Sequence, residues 1–465
     1  MNGVLTLATL IVCALIVLLV PTIVVPEARY YSTVTAFYTG KAVLLSGALA
    51  AVAGYCIYRQ GTNGSFLLKL FVVALLFRVL VGTAIFVFNG QGFFGGDALT
   101  YDNYGYVQLK GWMGDRYFQS IANYYVAEGT NPGWGMVYLV AVIYGLVGRN
   151  MLAVQFINSV MGAATAPLIF LCSYNVFKNL RVARLAALAV AFYPSLVLWS
   201  SQGLKDGPIV FFLALSILAT LKLGERFDVR YLTLLVWSMF SLLSLRFYVF
   251  YMISVAIGGA FVMGMQSLSA KSVARQFIAV IVLGLALTYL GVTRYANLQF
   301  KRFGSLERVQ ISRQDASTSA QSGFGKDVDV STTSGALSTI PIGFLYLLFA
   351  PFPWQMTSLR QTITLPEMLV WWASFPMLIL GLWFSIKYRL RQISPILVFT
   401  IMLSLAYSVF QGNVGTAYRQ RSQLLVFYFI FIAVGYVLMQ EKREERRKLE
   451  IAEKEVFPEQ RQAVR

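Results

Sequence analysis

The sequence predicts an all-α, polytopic transmembrane protein, and three observations carry that prediction. Of its 465 residues, 58% are hydrophobic and 12% are charged, whereas soluble domains carry about 25% charged residues. Apolar runs at 4–25, 66–88, 231–265 and 424–439 approach or exceed the roughly 20 residues that cross a hydrocarbon core about 30 Å thick. The Lys and Arg residues fall mostly in short connections between such runs and in the tail, the distribution expected where positive charge sets orientation across a bilayer.

Taken in order, the apolar segments are roughly 4–26, 41–58, 66–88, 134–148, 152–172, 183–199, 207–221, 231–245, 247–265, 276–293, 339–352, 366–386, 395–410 and 424–439. The opening MNGVLTLATLIVCALIVLLV has no basic n-region and no small-residue cleavage site after it, so it is expected to be a retained span. The tail after Gln440 is strongly basic and therefore cytoplasmic, and Lys387, Arg389 and Arg391 lie two spans before it. Arg59 and Lys69 bracket an early connection and place the loop at 89–133 outside. The central basic groups Lys178/Arg181/Arg184, Lys222/Arg226/Arg230 and Lys271/Arg275 all become cytoplasmic only if 134–148 does not cross. The tail then requires that 339–352 not cross either.

The expectation is thus about 12 spans with both termini cytoplasmic, plus two juxtamembrane or re-entrant helices on the outer face. It divides the chain into two accessory N-terminal spans at 1–60 and a transmembrane core at 61–293 with an external loop at 89–151. An external loop with a juxtamembrane helix follows at 294–365, then C-terminal spans at 366–440 and a basic tail at 441–465. Within the second loop, SRQDASTSAQSGFGKDVDVSTTSG has no hydrophobic periodicity and the composition of a flexible segment.

Composition also excludes chemistries. The formal charge of +18 would suggest nucleic acid on a soluble chain, but its location points to anionic lipid headgroups instead. No histidine is present, which removes Ser-His and Cys-His nucleophiles, His metal centres and His proton relays. Cys13, Cys56 and Cys172 all sit in apolar segments, so neither a disulfide framework nor a thiolate metal site is expected. The glycine-rich GQGFFGG at 90–96 follows a membrane span rather than a sheet strand, so it is a weak phosphate cradle.

Acid–base chemistry must therefore rest on carboxylates, lysine or tyrosine. The segment FFGGDALTYDNYGYVQLKGW, 93–112, places Asp97 and Asp102 beside Tyr101, Tyr104 and Tyr106 at the membrane surface. A carboxylate there can act as a general base, or hold a divalent cation such as magnesium or manganese through Asp97 and Asp102. The plainer reading is an interfacial aromatic belt with two solvated aspartates. Ser200, Ser201, Lys205 and Asp206 share the same outer face, where Lys205 and Asp206 also read as snorkelling charges. Arg419 and Arg421 begin the last span from outside, opposite to the usual side for anchoring charge, and guanidinium forks suit phosphate. Arg78, Arg246, Gln155 and Asn158 fall within or at the ends of apolar segments, where polar groups need a partner or a cavity.

This pattern resembles the multispan GT-C type glycosyltransferases that use polyprenyl-phosphate sugars, in particular bacterial relatives of protein O-mannosyltransferases and the aminoarabinose transferase. The residues that carry the resemblance are GGDALTYDNYGYVQLKGW, NPGWGMVYLVAVIYGLVG, the span 152–172, FKNLRVAR and FYPSLVLWSSQGLKDG. It covers residues 66–225 and is loose beyond. The mannosyltransferases' His-Pro-Pro is replaced by Asn131-Pro132, and their paired Asp-Glu by Asp97-Ala98, so donor and acceptor are left open. The resemblance implies an enzyme of the bacterial cytoplasmic membrane acting on its extracytoplasmic face. In it, Asp97 deprotonates an acceptor hydroxyl that attacks the anomeric carbon with inversion. Asp102 positions the acceptor or assists a metal, and Tyr101 and Asp206 line the substrate site. Arg419, Arg421 and Arg360 hold the donor's lipid phosphate, with Lys205 sharing that role. The acceptor is a glycan, lipid or protein. Two alternatives stand beside it: an O-antigen-type polymerase or ligase acting on polyprenyl-pyrophosphate glycans, and a lipid-linked-oligosaccharide flippase or transporter.

Overall fold

In the computed structural model, the chain is almost wholly helical. The structure describes residues 32–126, 133–263 and 270–456, apart from Asn89, Gly95, residues 319–321, Lys326 and Thr357, together with scattered positions between 12 and 29. Most of the expected first span and the Asn131-Pro132 pair lie outside the described residues.

The first half runs α1 (Ala36–Tyr58), α2 (Gly64–Val87), α3 (Asp97–Trp112), α4 (Arg116–Val126), α5 (Trp134–Val147) and α6 (Met151–Phe177). Then come α7 (Leu180–Phe192), α8 (Pro194–Ser200), α9 (Asp206–Glu225), α10 (Val229–Leu245) and α11 (Phe247–Met263). The rest comprises α12 (Ala270–Tyr289), α13 (Val292–Phe303), α14 (Leu306–Thr318), α15 (Thr333–Phe349), α16 (Leu365–Phe410), α17 (Val414–Gln420) and α18 (Ser422–Val456). Side-chain caps mark several starts: the Asn150, Asn179 and Asp228 carboxyl or amide oxygens accept from the first-turn amides of α6, α7 and α10.

Helix α6 is the central post. Almost all of it is buried, and α1, α2, α7 and α9 pack around it. Among the described residues, six helices are long and apolar enough to cross a membrane, or eight if the bent pairs α7/α8 and α12/α13 each count once. That is fewer than the expected 12, and helix length accounts for much of the difference. Helices α10 and α11 have 17 residues each, about 26 Å, just under a hydrocarbon core of about 30 Å. Helix α5 has 14 residues between Gly133 and Gly148, both at positive φ, and is shorter still.

Helix α16 is two helices joined at a kink. Arg389 leaves helical geometry at φ −135°, ψ 19°. On one side of it, Glu367 meets Tyr418 and Trp371 stacks near Tyr428; on the other, Ser404 meets Tyr428 and Tyr407 meets Gln423. Both limbs therefore start or finish beside the beginning of α18, and the chain folds back at the basic turn Lys387–Arg391. Backbones touch where α16 crosses α18: a Cβ on Gly381 would lie 1.8 Å from the Phe431 carbonyl, and one on Gly435 would lie 2.0 Å from that of Met377. Small residues permit such contact between apolar helices.

Charged contacts sort the ends of the bundle. Lys178 and Lys222 pair with Glu225, Arg181 pairs with Glu444, and Arg184 sits 5.2 Å over the Phe66 ring. One end thus gathers the basic connections and the far part of α18. The opposite end holds α3, α5, the α8–α9 turn and α17.

The described residues of the polar run at 312–335 depart from the flexible segment its composition suggests. Residues 306–318 are helical, and buried Arg313 donates to the carbonyls of Val409 (3.0 Å) and Gln411 at the end of α16. Phe324 N donates to Gly412 O at 2.8 Å, and Val414 N donates to Ser322 O at 3.0 Å. Carbonyls left over where a helix stops need donors, and this run supplies them, which composition alone does not reveal.

Candidate active site

The site is built where helices begin. Asp97 is the first residue of α3 and Asp206 the first of α9, positions where a carboxylate is favoured by the helix dipole. The turn before α9 is fixed from below: Asn158 of α6 donates 2.7 Å bonds from Nδ2 to the carbonyls of Gln202 and Leu204. Gly82 of α2 lets that turn approach, since a Cβ there would lie 2.6 Å from Ser201 O. Asn158 is thus a positioning residue, which explains an amide inside an apolar span.

Arg419, near the end of α17, joins the two aspartates. Its Nη1 lies 2.6 Å from Asp97 Oδ2, and its Nε and Nη2 lie 2.7 and 2.6 Å from Asp206 Oδ2. Arg246, in the extended break between α10 and α11, continues the chain with Nη2 3.7 Å from Asp206 Oδ1 and Nη1 3.4 Å from the Tyr407 hydroxyl. Asp206 is wholly buried between the two guanidinium groups, whereas the Asp97 side chain is 54% exposed. Arg246 is one of the polar groups in apolar segments that the sequence leaves in need of a partner or a cavity. The signal was present, because an arginine between two apolar 17-residue helices requires a partner.

Lys205 and Tyr101 complete the cluster. The Lys205 ammonium lies 6.0 Å from the Tyr101 ring centroid, and a Cβ on Gly133 would come within 3.0 Å of it. Burial, followed by repulsion from Arg246, pulls the Lys205 pKa down to about 7 against the attraction of Asp206. Burial and then Asp97 push the Tyr101 hydroxyl above its ordinary range, so it stays a donor at neutral pH. Arg360 approaches from the second loop: its Nη2 donates to Gly92 O at 3.1 Å, and its guanidinium covers Phe93. It holds the segment leading into Asp97.

Two of the sequence-predicted residues are placed elsewhere. Asp102 stands five positions from Asp97, which rotates it about 140° around α3. It is buried, accepting from the Tyr144 hydroxyl and from Arg149 Nη2 at 2.5 Å, while Arg149 lies 4.4 Å over the Tyr106 ring. Asp97 and Asp102 therefore face different partners and do not form the shared divalent-cation site expected of them. Among the described residues no group of three or more His, Cys, Asp or Glu is placed to hold a metal. Arg421 is separated from Arg419 in the same way. It is buried, donating to Leu347 O at 2.7 Å and to Ala350 O at the end of α15, a favourable place for a cation. It clamps a helix end and is absent from the Asp97–Asp206 network.

Arg78 is also structural. Pro194 has no N–H to offer the Val190 carbonyl, so the α7–α8 bend frees backbone acceptors. Arg78 donates to Val190 O (3.2 Å), Ala191 O (2.7 Å) and Ser200 Oγ (2.9 Å).

The arrangement offers one half-exposed carboxylate and three cations, Lys205, Arg246 and Arg419, set against two carboxylates. It has the parts for removing a proton and for receiving an anion in the same place. No family model matches the chain, and no curated protein matches its sequence. Among solved structures, it is similar to an archaeal oligosaccharyltransferase, AglB from Archaeoglobus fulgidus, in complex with an inhibitory peptide and a dolichol-phosphate, at 14% identity and a TM-score of 0.41. The likeness covers 69% of this chain and 44% of the archaeal one, so this chain spans less than half the length of that protein.

Proposed function

We propose that this chain is an integral membrane glycosyltransferase that moves a sugar from a polyprenyl-phosphate-linked donor to an envelope glycan, lipid or protein acceptor on the extracytoplasmic face of a bacterial cytoplasmic membrane. The observation that carries this reading is the Asp97–Arg419–Asp206–Arg246 network at one end of an apolar helical bundle. A lipid-linked phosphate arrives from the bilayer at such an end, where the two arginines balance the two carboxylates and the protonated fraction of Lys205 adds to them.

The geometry suggests an order of events. The donor phosphate competes with Asp97 for the Arg419 guanidinium, while Asp206 keeps Arg419 anchored from the other side. Asp97, released and half-exposed, accepts the proton of the acceptor hydroxyl. The hydroxyl oxygen bonds to the anomeric carbon from the face opposite the phosphate, the anomeric carbon–phosphate oxygen bond breaks, and the configuration inverts. Arg419 and the protonated fraction of Lys205 stabilise the departing lipid phosphate. Tyr101 donates a hydrogen bond to the bound substrate. The step uses side chains of this chain alone.

Purified protein in lipid nanodiscs, supplied with polyprenyl-phosphate sugars and membrane-extract acceptors, tests the reading. Wild-type protein should form a glycosidic bond and Asp97→Asn should not, at equal folding; full turnover by Asp97→Asn would remove the proposed base. The polymerase or ligase alternative is favoured by one observation, the joining of Ser322 and Phe324 of the second loop to Gly412 and Val414 at the start of α17. It predicts transfer from polyprenyl-pyrophosphate glycans and none from monophosphate sugars.

A further inference from the structure

We propose that Glu367 is a positioning residue for the Arg419 guanidinium, acting through Tyr418. This role deepens the glycosyl-transfer reading and rests on it for what Arg419 does with a donor phosphate.

A carboxylate buried near the start of an apolar helix is costly unless donors meet it. Glu367 is the third residue of α16 and is buried. Its Oε2 accepts from the Tyr418 hydroxyl at 2.8 Å, and the Arg421 guanidinium attracts the same carboxylate. Met368, the next residue, places its sulfur 3.2 Å from Arg421 Nη1. The first turn of α16 thus grips Tyr418 and Arg421, on either side of Arg419 in the chain, while Arg419 itself turns to Asp97 and Asp206.

Helix α17 depends on such a grip. It has seven residues, well below the roughly 12–15 at which a lone helix holds together in water, so its rotation is set by anchors. Successive residues leave a helix about 100° apart, and fixing Tyr418 therefore fixes the direction in which Arg419 departs. Trp199 of α8 braces the same place, with its ring centroid 6.3 Å from that of Tyr418 and 5.9 Å from the Arg419 guanidinium carbon. The Arg419 fork must reach Asp97 Oδ2 at 2.6 Å and Asp206 Oδ2 at 2.6 and 2.7 Å together. A turn of α17 breaks that double reach, and the Glu367–Tyr418 bond opposes the turn.

The test uses full-length protein in nanodiscs, with polyprenyl monophosphate as the binding probe and transfer kinetics as a second readout. Tryptophan fluorescence reports binding beside Arg419, and Trp199→Phe identifies the share of the signal that arises there. Tyr418→Phe removes one oxygen atom, and Glu367→Ala removes its acceptor. Each should weaken phosphate binding and lower kcat about tenfold, as for one hydrogen bond to a charged group, with the acceptor KM unchanged. The double variant should be no worse than the worse single one, because both remove the same bond. Glu367→Gln keeps an acceptor for the Tyr418 hydroxyl and should return both readouts to within about threefold of wild type. Wild-type binding and kcat in folded Tyr418→Phe overturn the proposal, whether or not its melting temperature falls, since a lower melting temperature alone is packing. Losses that multiply in the double variant overturn it too, as does an absence of phosphate binding by the wild type. Where Glu367→Ala does not fold, Tyr418→Phe decides. Full turnover by Asp97→Asn instead strikes the transfer reading, and the phosphate-binding arm then judges Glu367 by itself.

Discussion

Helix α3 carries two carboxylate–guanidinium pairs on different faces, and they leave their carboxylates in opposite situations. Asp102 is 4% exposed against an Arg149 that is 12% exposed, and the Tyr144 hydroxyl donates to its other oxygen. Asp97 is 54% exposed, and its partner Arg419 is shared with a second, buried carboxylate. The same chemistry thus serves two ends. The enclosed pair is committed to holding α3 against α5, whereas the open pair can exchange partners at small cost.

The sharpest way to break this contrast is Asp97→Asn, which should lower transfer roughly 10²–10⁴-fold, the range for loss of a general base, with the melting temperature nearly unchanged. Transfer within twofold of wild type would make the two aspartates equivalent after all. Next is Arg419→Lys, which keeps the charge and loses the fork that spans Asp97 and Asp206. Turnover should fall by about 10²-fold, as for removal of one preorganised donor, and measured kcat within threefold would show that the fork is dispensable. On the closed side, Arg149→Met leaves a buried carboxylate unpaired and should destabilise by about 3–5 kcal/mol. Surviving folded protein should keep its donor KM, and a raised KM with full stability would move Asp102 into the active machinery.

The smallest effect concerns Lys205. Its folded pKa of about 7 lies below the ordinary lysine value, so between pH 7 and the unfolded value the unfolded chain binds more protons. Stability contributed at this position therefore rises with pH across that window and is lowest where the buried ammonium is charged. Donor binding should run the other way. The donor KM should increase a few-fold from pH 6 to pH 8, and Lys205→Met should flatten that profile. An unaltered profile in the variant would assign the titration to another group.

Legibility in the sequence followed the physics of each signal. Apolar length found the membrane helices that pack around α6, since a span needs only enough carbon. The charges of Lys387, Arg389 and Arg391 mark the turn where the chain folds back within α16. Asp97, Lys205, Asp206 and Arg419 were found because charge next to an apolar run is unusual wherever it occurs. The sequence leads to the expectation that Asp97 and the Arg419/Arg421 pair share one outer site, and Arg419 does meet Asp97; what a one-dimensional pattern does not tell is which of two neighbouring residues turns inward. Asp102 and Arg421 show this: both sit within a few positions of a network member, and helical rotation or a nearby helix end captures each. Arg149, Tyr144 and Arg313 went unmarked because their roles depend on contacts across 42 to 98 residues of chain.

The bend between α7 and α8 carries a consequence for how this chain can vary. In hydrocarbon no solvent is on hand to rescue stranded carbonyls, so a proline kink there survives only with an internal donor. Arg78 provides it from another helix, which makes the bend and the arginine depend on each other energetically. Replacing the arginine strands the Val190 and Ala191 carbonyls at the kink, and straightening the kink takes two acceptors away from the guanidinium.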